Sequence, residues 1–424
     1  MQNVIDVLKE RGFIEAVTSE EVRLAASEPI KVYCGFDPTS DALHLGNLVP
    51  LMGLAWFQRY GHTPVALMGG ATGMIGDPSG KAHERQLLDE ETIQSNLIGI
   101  RKNLEQVLLQ QGHLTPPLIV NNLDWYRKFS LIPFLRDIGK LFRLGPMLGR
   151  ESVKLRLESE EGMSFTEFTY QILQGYDFLY LFENYGVSIE LGGSDQWGNI
   201  LAGTDLIRKT HGKVAHGVTF PLLTRSDGQK FGKSEQGAIW LSPEKLSPYA
   251  FYQYLIRVPD ADVIKLMKML TFMEIEEIKK VENSMTKEDY LPRTAQKKLA
   301  EEVTQLIHGP EGVVQALKVT DGIAPGGVAS LDPEMLESLG QEVPNCEIPL
   351  EQVLYQKVVD LLVLCGLQPS KGEARRLIRN GGVYINNQKI EEEQACVDAS
   401  HLIDNRLMLV AAGKKNKMLL RIKN

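Results

Sequence analysis

Two lysines, Lys230 and Lys233, flank a Phe-Gly pair in the segment SDGQKFGKSEQG, and Ser234 follows the second of them. A glycine-rich loop with two cations and no apolar periodicity is suited to phosphate, which backbone N–H groups and ammonium groups can meet together. A second polar cluster stands about 190 residues upstream, in DALHLGN. There His44 and Asn47 bracket Gly46 where a strand's loop turns into a helix. A helix start offers unpaired N–H groups and positive dipole potential, so this pattern can hold phosphate, with Gly46 letting a nucleotide approach. The same side chains serve equally well as helix caps. Pro50 predicts a regular helix that starts late or is kinked.

Further candidates come from three other stretches. SFTEFTYQILQGYDF opens on Ser164-x-x-Glu167, a capping box, and then sets Tyr170, Gln174 and Asp177 at i, i+4 and i+7 on one helix face. Spacing alone also allows an ordinary polar stripe facing solvent. GGSDQ, with Gly193, Asp195 and Gln196, reads by itself as a turn. GGATGMIGDPSGK, with Asp77, is not a P-loop. Its Gly76-to-Gly80-Lys81 spacing is one residue short of Walker A and no Ser or Thr follows, which excludes a generic P-loop ATPase. Lys81 and Arg85 stand four apart just beyond it.

The elements that must position these residues alternate in the first half of the chain. IKVYCGFD, TPVALMGG, PLIVNNLDW and SIELGGSDQW read as strands bounded by turn residues, and helical segments separate them. That alternation predicts an α/β fold, a doubly wound, Rossmann-like and mostly parallel sheet. Ligands in such folds sit at the carboxyl ends of the strands, where the candidates fall. The N-terminal stretch MQNVIDVLKERGFIEAVTSEEV reads as amphipathic helix. Residues 1–245 form the expected catalytic domain, 246–325 a helical domain, 326–350 a linker, and 351–424 a small α+β domain. That last segment holds two helices, EQVLYQKVVDLLVLCG and SKGEARRLIRNG, and the hairpin-like GVYINNQKI.

Bulk properties narrow the classes. The 424 residues carry a net charge of -8, against wholesale non-specific nucleic-acid binding, yet residues 351–424 hold 12 Lys+Arg and 8 Asp+Glu. A basic tail on an acidic body points to a polyanion for the tail alone. In it Lys371, Arg375 and Arg379 fall at i, i+4 and i+8 with Arg376 beside them, and GKKNK adds Lys414 and Lys415; a solvated basic helix is the plainer alternative. Cys34, Cys346, Cys365 and Cys396 lack paired spacing, which disfavours a cysteine-bound zinc and suits a reducing compartment. No apolar run reaches membrane-spanning length.

His-x-Gly-x after the first strand and Lys-x-x-Lys-Ser after the last resemble the two signatures of class I aminoacyl-tRNA synthetases. YCGFDPTSDALHLGN, GGATGMIGDPSGKAHER, SFTEFTYQILQGYDF, GGSDQWGN and DGQKFGKSE together are similar to the bacterial-type tyrosyl-tRNA synthetase family, over essentially the whole chain. SKGEARRLIRNGGVYINNQKI resembles that family's S4-like RNA-binding domain. The resemblance implies activation of tyrosine by ATP and its transfer to tRNA(Tyr), in a cytoplasmic homodimer with no membrane association. Tyr170, Gln174 and Asp77 would hold the substrate ammonium, and Asp177 and the Tyr33 hydroxyl its phenol. Cys34 and Asp37 would lie near the nucleotide, Gly193 and Asp195 at the ribose, and Gln196 at the ribose and carboxylate. His44 and Thr39 would meet the γ-phosphate, and Lys81, Arg85, Lys230 and Lys233 the departing pyrophosphate, with Gly46, Asn47 and Ser234 also at ATP. Mg²⁺ would enter on the ATP phosphates. Lys371, Arg375, Arg376, Arg379, Lys414 and Lys415 would grip tRNA. Asn47 stands where the family usually has a second histidine; it can donate a hydrogen bond but carries no charge. Two rivals remain: the tryptophan enzyme of the same class, disfavoured by Asp177 and Tyr33, and an S4-type RNA-binding protein with an inactive front half.

Overall fold

The computed structural model describes residues 2–80, 83–109, 115–228, 231–234, 237–322, 331–340, 343–413 and 416–423. Its contacts divide the chain into two compact units, Met1–Leu246 with Leu255–Ile307, and Ser247–Tyr254 with His308–Asn424.

The first unit is built on strands β1 (Ala16–Val17), β2 (Lys31–Phe36), β3 (Thr63–Met68), β4 (Leu118–Asn121), β5 (Val187–Gly193) and β6 (His216–Phe220), in the order β1-β6-β5-β2-β3-β4. β2 to β6 run parallel and β1 is antiparallel to β6. Near-continuous buried runs in β2, β3 and β6 are what a parallel sheet covered on both faces requires. From β2 the chain steps outward through β3 and β4, then returns to place β5 on the other side of β2. The winding therefore reverses between β2 and β5, and a crevice opens at their carboxyl ends. β1 and β6 are additions to the four strands expected. The N-terminal stretch is helical only over Val4–Glu10 and Glu21–Ala25, with β1 between them.

Four helices pack against this sheet: α1 (Leu45–Arg59), α2 (Glu90–Leu109), α3 (Phe165–Tyr185) and α4 (Trp197–His211). α1 begins at Leu45 and contains Pro50, so the proline does not delay its start. Ser164 caps α3 by accepting from the Glu167 N–H at 3.2 Å, but the reciprocal half of a capping box is missing. The Glu167 carboxylate turns instead to a buried bidentate pair with Arg156, at 2.8 and 3.0 Å. The phosphate-type loop is partly regular: β7 (Lys233–Ser234) and β8 (Gly237–Ala238) pair antiparallel. Helices over Asp260–Leu270 and Ile275–Ser284 continue this unit.

The second unit carries a five-stranded sheet, β11-β10-β12-β13-β9, made of β9 (Asn345–Pro349), β10 (Val383–Ile385), β11 (Gln388–Lys389), β12 (Leu407–Ala412) and β13 (Asn416–Lys423). β9 runs parallel to β13, so this sheet begins inside the stretch read as linker. Asn386 and Asn387 join β10 to β11 with φ of 46° and 65°, the left-handed pair that a tight hairpin needs and asparagine tolerates. Helices α5 (Val358–Leu364) and α6 (Lys371–Arg379) close its core, setting Val358, Leu361, Leu362, Ala374 and Ile378 against Val383, Ile385, Val410 and Leu420. The long helix read over EQVLYQKVVDLLVLCG shrinks to α5 and a short 3-10 turn at Leu350–Gln352.

Candidate active site

The described candidates of the first unit cluster at the carboxyl ends of β2, β3 and β5. Asp37 directly follows β2 and accepts two hydroxyl donors, Thr72 Oγ1 and Tyr170 Oη, each at 2.7 Å. Burial pushes its carboxyl up to about 6, against the pull of those two bonds. The carboxylate fits because Gly69 has no side chain; a β-carbon there would collide with Asp37 Oδ1 and Thr72 Oγ1. Asn122 extends the network, donating from Nδ2 to Thr72 Oγ1 at 2.9 Å and to Asp177 Oδ2 at 3.0 Å.

Asp177, on α3, also accepts Trp125 Nε1 at 2.9 Å. Burial raises its carboxyl to about 7, offset in part by Asn122, Trp125 and Tyr126. The face of α3 that spacing alone left open to solvent is therefore interior: Tyr170 and Asp177 are buried and Gln174 is half-buried. Tyr33, on β2, is buried and within electrostatic reach of both Asp177 and Glu190. Its hydroxyl has no hydrogen-bond partner. An orphaned interior hydroxyl is costly, so this atom is open to a further polar partner.

Glu190, on β5, pairs in register with Tyr33 and takes Gln174 Nε2 on Oε1 at 2.9 Å. Its other oxygen, Oε2, and Gln174 Oε1 are both buried and unpartnered. Burial lifts the carboxyl to about 8. Tyr33 lies near enough to help hold the charged form, yet no well-formed hydrogen bond joins the two, consistent with both orphaned oxygens.

Asp77, after the glycine-rich turn, accepts the Ser79 N–H at 3.0 Å and Gln196 Nε2 at 2.7 Å, which ties β3's loop to β5's loop. Arg85 Nε returns to the Asp77 carbonyl at 3.2 Å. Gly193 makes room for Asp195, whose Oδ1 would lie 2.6 Å from a β-carbon there. Cys34 is buried, and burial pushes its thiol above the usual range. Thr39, two residues beyond Asp37, is exposed.

His44 caps α1: its Nδ1 accepts the Gly46 N–H at 3.1 Å, and Asn47 Oδ1 accepts the His44 N–H at 3.1 Å. Capping and ligand binding are compatible here. An accepting Nδ1 keeps the ring proton on Nε2, which is then a donor. The chain 190 residues on docks at this same helix start. Leu45 N–H donates to the Ile239 carbonyl at 2.8 Å, and Leu241 N–H to the Leu43 carbonyl at 2.9 Å. Gly232, with φ of 88°, lies so close that a β-carbon would be 3.1 Å from Gly46 N.

Lys81, Lys230, Lys414 and Lys415 lie outside the described residues, and Lys233 and Ser234 are described by their backbone alone. In the second unit, Lys371 and Arg379 are exposed and pair with Asp360 at 2.9 Å and Glu393 at 2.7 Å. Arg375 and Arg376 are exposed on the same helix. Sequence reasoning missed Thr72, Asn122, Trp125 and Glu190. NNLDW at the end of a predicted strand was a legible polar signal; Glu190, inside an apolar strand, was a second.

Beside Asp195 opens a cavity of about 630 Å³ whose walls include Trp197, Arg143, Arg150 and Lys209. Burial lowers Arg150 to about 10, and its Nη1 lacks a partner.

Residues 25–322 match the family described as tRNA synthetases class I (W and Y), and residues 334–420 match the tyrosine–tRNA ligase SYY-like C-terminal domain. The sequence is 68% identical over 422 residues to the tyrosine–tRNA ligase of Protochlamydia amoebophila, covering 100% of this chain and 99% of the relative. It is 47% identical over 423 residues to that of Escherichia fergusonii, covering 99% and 98%. A C-terminally truncated mitochondrial tyrosyl-tRNA synthetase of Coccidioides posadasii is similar in structure, with a TM-score of 0.66 at 36% identity, over 75% of this chain and 92% of that one.

Proposed function

This chain belongs to the bacterial-type tyrosyl-tRNA synthetases, within class I, and we propose that the groups gathered at the ends of β2, β3 and β5 carry its tyrosine–tRNA ligase activity. The enzyme joins tyrosine to ATP as tyrosyl-adenylate, releasing pyrophosphate, and then passes the tyrosyl group to the 3′ end of tRNA(Tyr).

The observation that carries the site assignment is the Tyr33 hydroxyl, buried without a partner and near Asp177. A phenol entering there gives each of them a partner. A pocket built to bond a hydroxyl rejects an analogue lacking it, because its own polar groups are then stranded; tyrosyl-tRNA synthetases are themselves the standard illustration of that rule. Tyr170, Gln174 and Asp77 receive the ammonium: all three present acceptor oxygens, and Gln174 Oε1 is unsatisfied.

The tyrosine carboxylate is already ionised, so attack on the α-phosphate needs positioning and charge stabilisation more than acid–base chemistry. Asp37, Cys34, Gly193, Asp195 and Gln196 line the nucleoside side. His44 Nε2–H and Thr39 would meet the phosphates, with Asn47, Gly46 and Ser234 also at ATP, and Lys81, Arg85, Lys230 and Lys233 would close around the pyrophosphate as it leaves. The docking of Gly232, Ile239 and Leu241 at the start of α1 supports this grouping. Among the described residues no group of three or more His, Cys, Asp or Glu is arranged to hold a metal, so we read Mg²⁺ as arriving on ATP.

For the second step, the cavity beside Asp195 is suited to the 3′ end of tRNA, with Trp197 to stack a base and Arg143, Arg150 and Lys209 to meet phosphates. Arg375 and Arg376, with Lys371, Arg379, Lys414 and Lys415, bind the tRNA backbone from the C-terminal domain. Leu131, Ile132, Leu144 and Phe165 are 69%, 69%, 67% and 77% exposed, which supports a homodimer that covers them. We place the enzyme in the cytoplasm, a reading supported by its four free cysteines. No helix among the described residues is long and apolar enough to cross a membrane. The inactive RNA-binding alternative has nothing in the site to favour it.

Tyrosine-dependent exchange of pyrophosphate into ATP, followed by charging of tRNA(Tyr), tests the assignment. Both reactions are expected, and absence of exchange with tyrosine would contradict it.

A further inference from the structure

One buried acid has no part in the chemistry assigned so far. Glu190 sits on β5 between the two ends of the assigned amino-acid pocket. Its Oε1 holds Gln174 Nε2, while its Oε2 faces the Tyr33 region with no partner. We propose that Glu190 is a positioning residue for tyrosine, holding Gln174 so that its carbonyl meets the ammonium and, through a proton on Oε2, aiming the Tyr33 hydroxyl at the phenol. The inference rests on the tyrosine site assigned under the proposed function.

The polarity of the hydrogen bonds gives the reason. Gln174 has one amide hydrogen committed to Glu190, which orients the amide with Oε1 as the free acceptor, the only useful polarity toward –NH₃⁺. With Glu190 neutral, Oε2–H donates to Tyr33 Oη, Tyr33 donates to the phenol oxygen, and the phenol donates to Asp177. Every group along that line has a partner. With Glu190 ionised, Oε2 accepts the Tyr33 hydrogen instead. Tyr33 can then only accept, and the single phenol hydrogen cannot serve both Tyr33 and Asp177. One interior acceptor is stranded, and tyrosine binds less well.

The surroundings favour the neutral acid. Asp177 and Gln174 on α3, and Tyr33 and Cys34 on β2, are the groups that act on Glu190, while β6 brings only Gly217 opposite it. The charged side chains of α4, Asp205, Arg208 and Lys209, pair with one another. No cation of the described residues reaches the carboxyl, and burial places its titration near 8. An acid with a raised value is neutral below it and charged above, so tyrosine affinity is highest below that point and falls above it.

The test is the KM for tyrosine in pyrophosphate exchange at saturating ATP, from pH about 6 to about 9.5, for the wild type, Glu190→Gln and Glu190→Ala. Gln reproduces the neutral acid, accepting from Gln174 on its oxygen and donating to Tyr33 from its amide. At pH about 7 Glu190→Ala should raise KM about tenfold or more, Glu190→Gln should restore it to within about threefold, and kcat should change little in either. The rise in wild-type KM near pH 8 should be missing from Glu190→Gln, leaving the titration of Asp177 near 7, which both enzymes share, and the later rise from the substrate's own amine and phenol. A Glu190→Gln profile that keeps the wild-type rise, or a KM as poor as that of the alanine variant, overturns the inference. Should Glu190→Ala fail to fold, Glu190→Gln alone still decides. Failure of the site assignment itself looks different: the wild type would show no tyrosine-dependent exchange at any pH.

Discussion

The hydroxyl of Tyr170 on α3 donates to Asp37 Oδ2 just beyond β2 over 2.7 Å, joining the helix of the proposed ammonium acceptors to the strand of the proposed nucleotide side. Two residues assigned to different ligands are one hydrogen-bonded unit. Tyr170→Phe leaves the buried Asp37 carboxyl with Thr72 alone. We expect it to lose about 1–3 kcal/mol of stability and to raise KM for tyrosine at least about tenfold. Thermal unfolding and exchange kinetics measure both; an unchanged KM would remove Tyr170 from the ammonium site.

The two signature motifs approach so closely that a β-carbon on Gly232, which has a φ of 88°, would lie 3.1 Å from Gly46 N. Gly232→Ala combines a left-handed strain of about 1 kcal/mol with a tight contact at Gly46 N, so the backbone leading into Lys233 must shift. Exchange should slow about tenfold or more while tyrosine affinity, measured by equilibrium dialysis, stays within about twofold. Lys233→Ala should show the same split, since its charge is needed mainly in the transition state. Lost tyrosine binding with normal exchange would sink both roles.

Asp37, Asp177 and Glu190 titrate near 6, 7 and 8, each raised by burial above the ordinary carboxyl range. Each therefore binds its proton more tightly folded than unfolded. Stability from these groups is complete below the unfolded values near 4 and is lost as pH climbs through 6, 7 and 8. The substrate-free enzyme should lose on the order of a few kcal/mol between pH about 6 and about 8.5, with Glu190→Gln flattening the upper part. A melting temperature that is level or rising across that window would contradict the raised values.

Deleting residues from Glu351 onward removes β10 to β13, which leaves β9 without its partner and uncovers Leu336 and Leu339. The truncated protein should be less stable in the unit formed by residues 247–254 and 308–340. Every residue assigned to tyrosine or ATP lies between Tyr33 and Ser234, so exchange should persist while tRNA charging falls below detection. Normal charging would free the C-terminal domain of its assigned role.

Legibility in the sequence followed periodicity and motif density. The strands that carry β2, β3 and β5 were visible as apolar runs ending in glycine turns, and the doubly wound, mostly parallel sheet followed from their alternation with helices. β1 and β6 were not, because two residues, or HGVTF after a helix, give too short a pattern. Tyr33, Tyr170 and Asp177 could be named because they lie in distinctive blocks. Their connections could not: whether Gln174 turns to Glu190 or to solvent depends on packing between α3 and β5, which are read as separate segments. Glu167 shows the same limit. Its spacing from Ser164 fits a capping box, but a buried Arg156 offers the carboxylate a stronger partner.

In the proposed site the Tyr33 hydroxyl and Asp177 together read the phenol of the substrate, and the rest of the assignment depends on that pairing. Its most direct measurement is kcat/KM for pyrophosphate exchange with tyrosine and with phenylalanine, in the wild type and in Tyr33→Phe. The variant should lose about tenfold or more with tyrosine and nothing with phenylalanine, so that the preference narrows by that factor. An unchanged tyrosine-to-phenylalanine ratio in Tyr33→Phe would contradict the pairing.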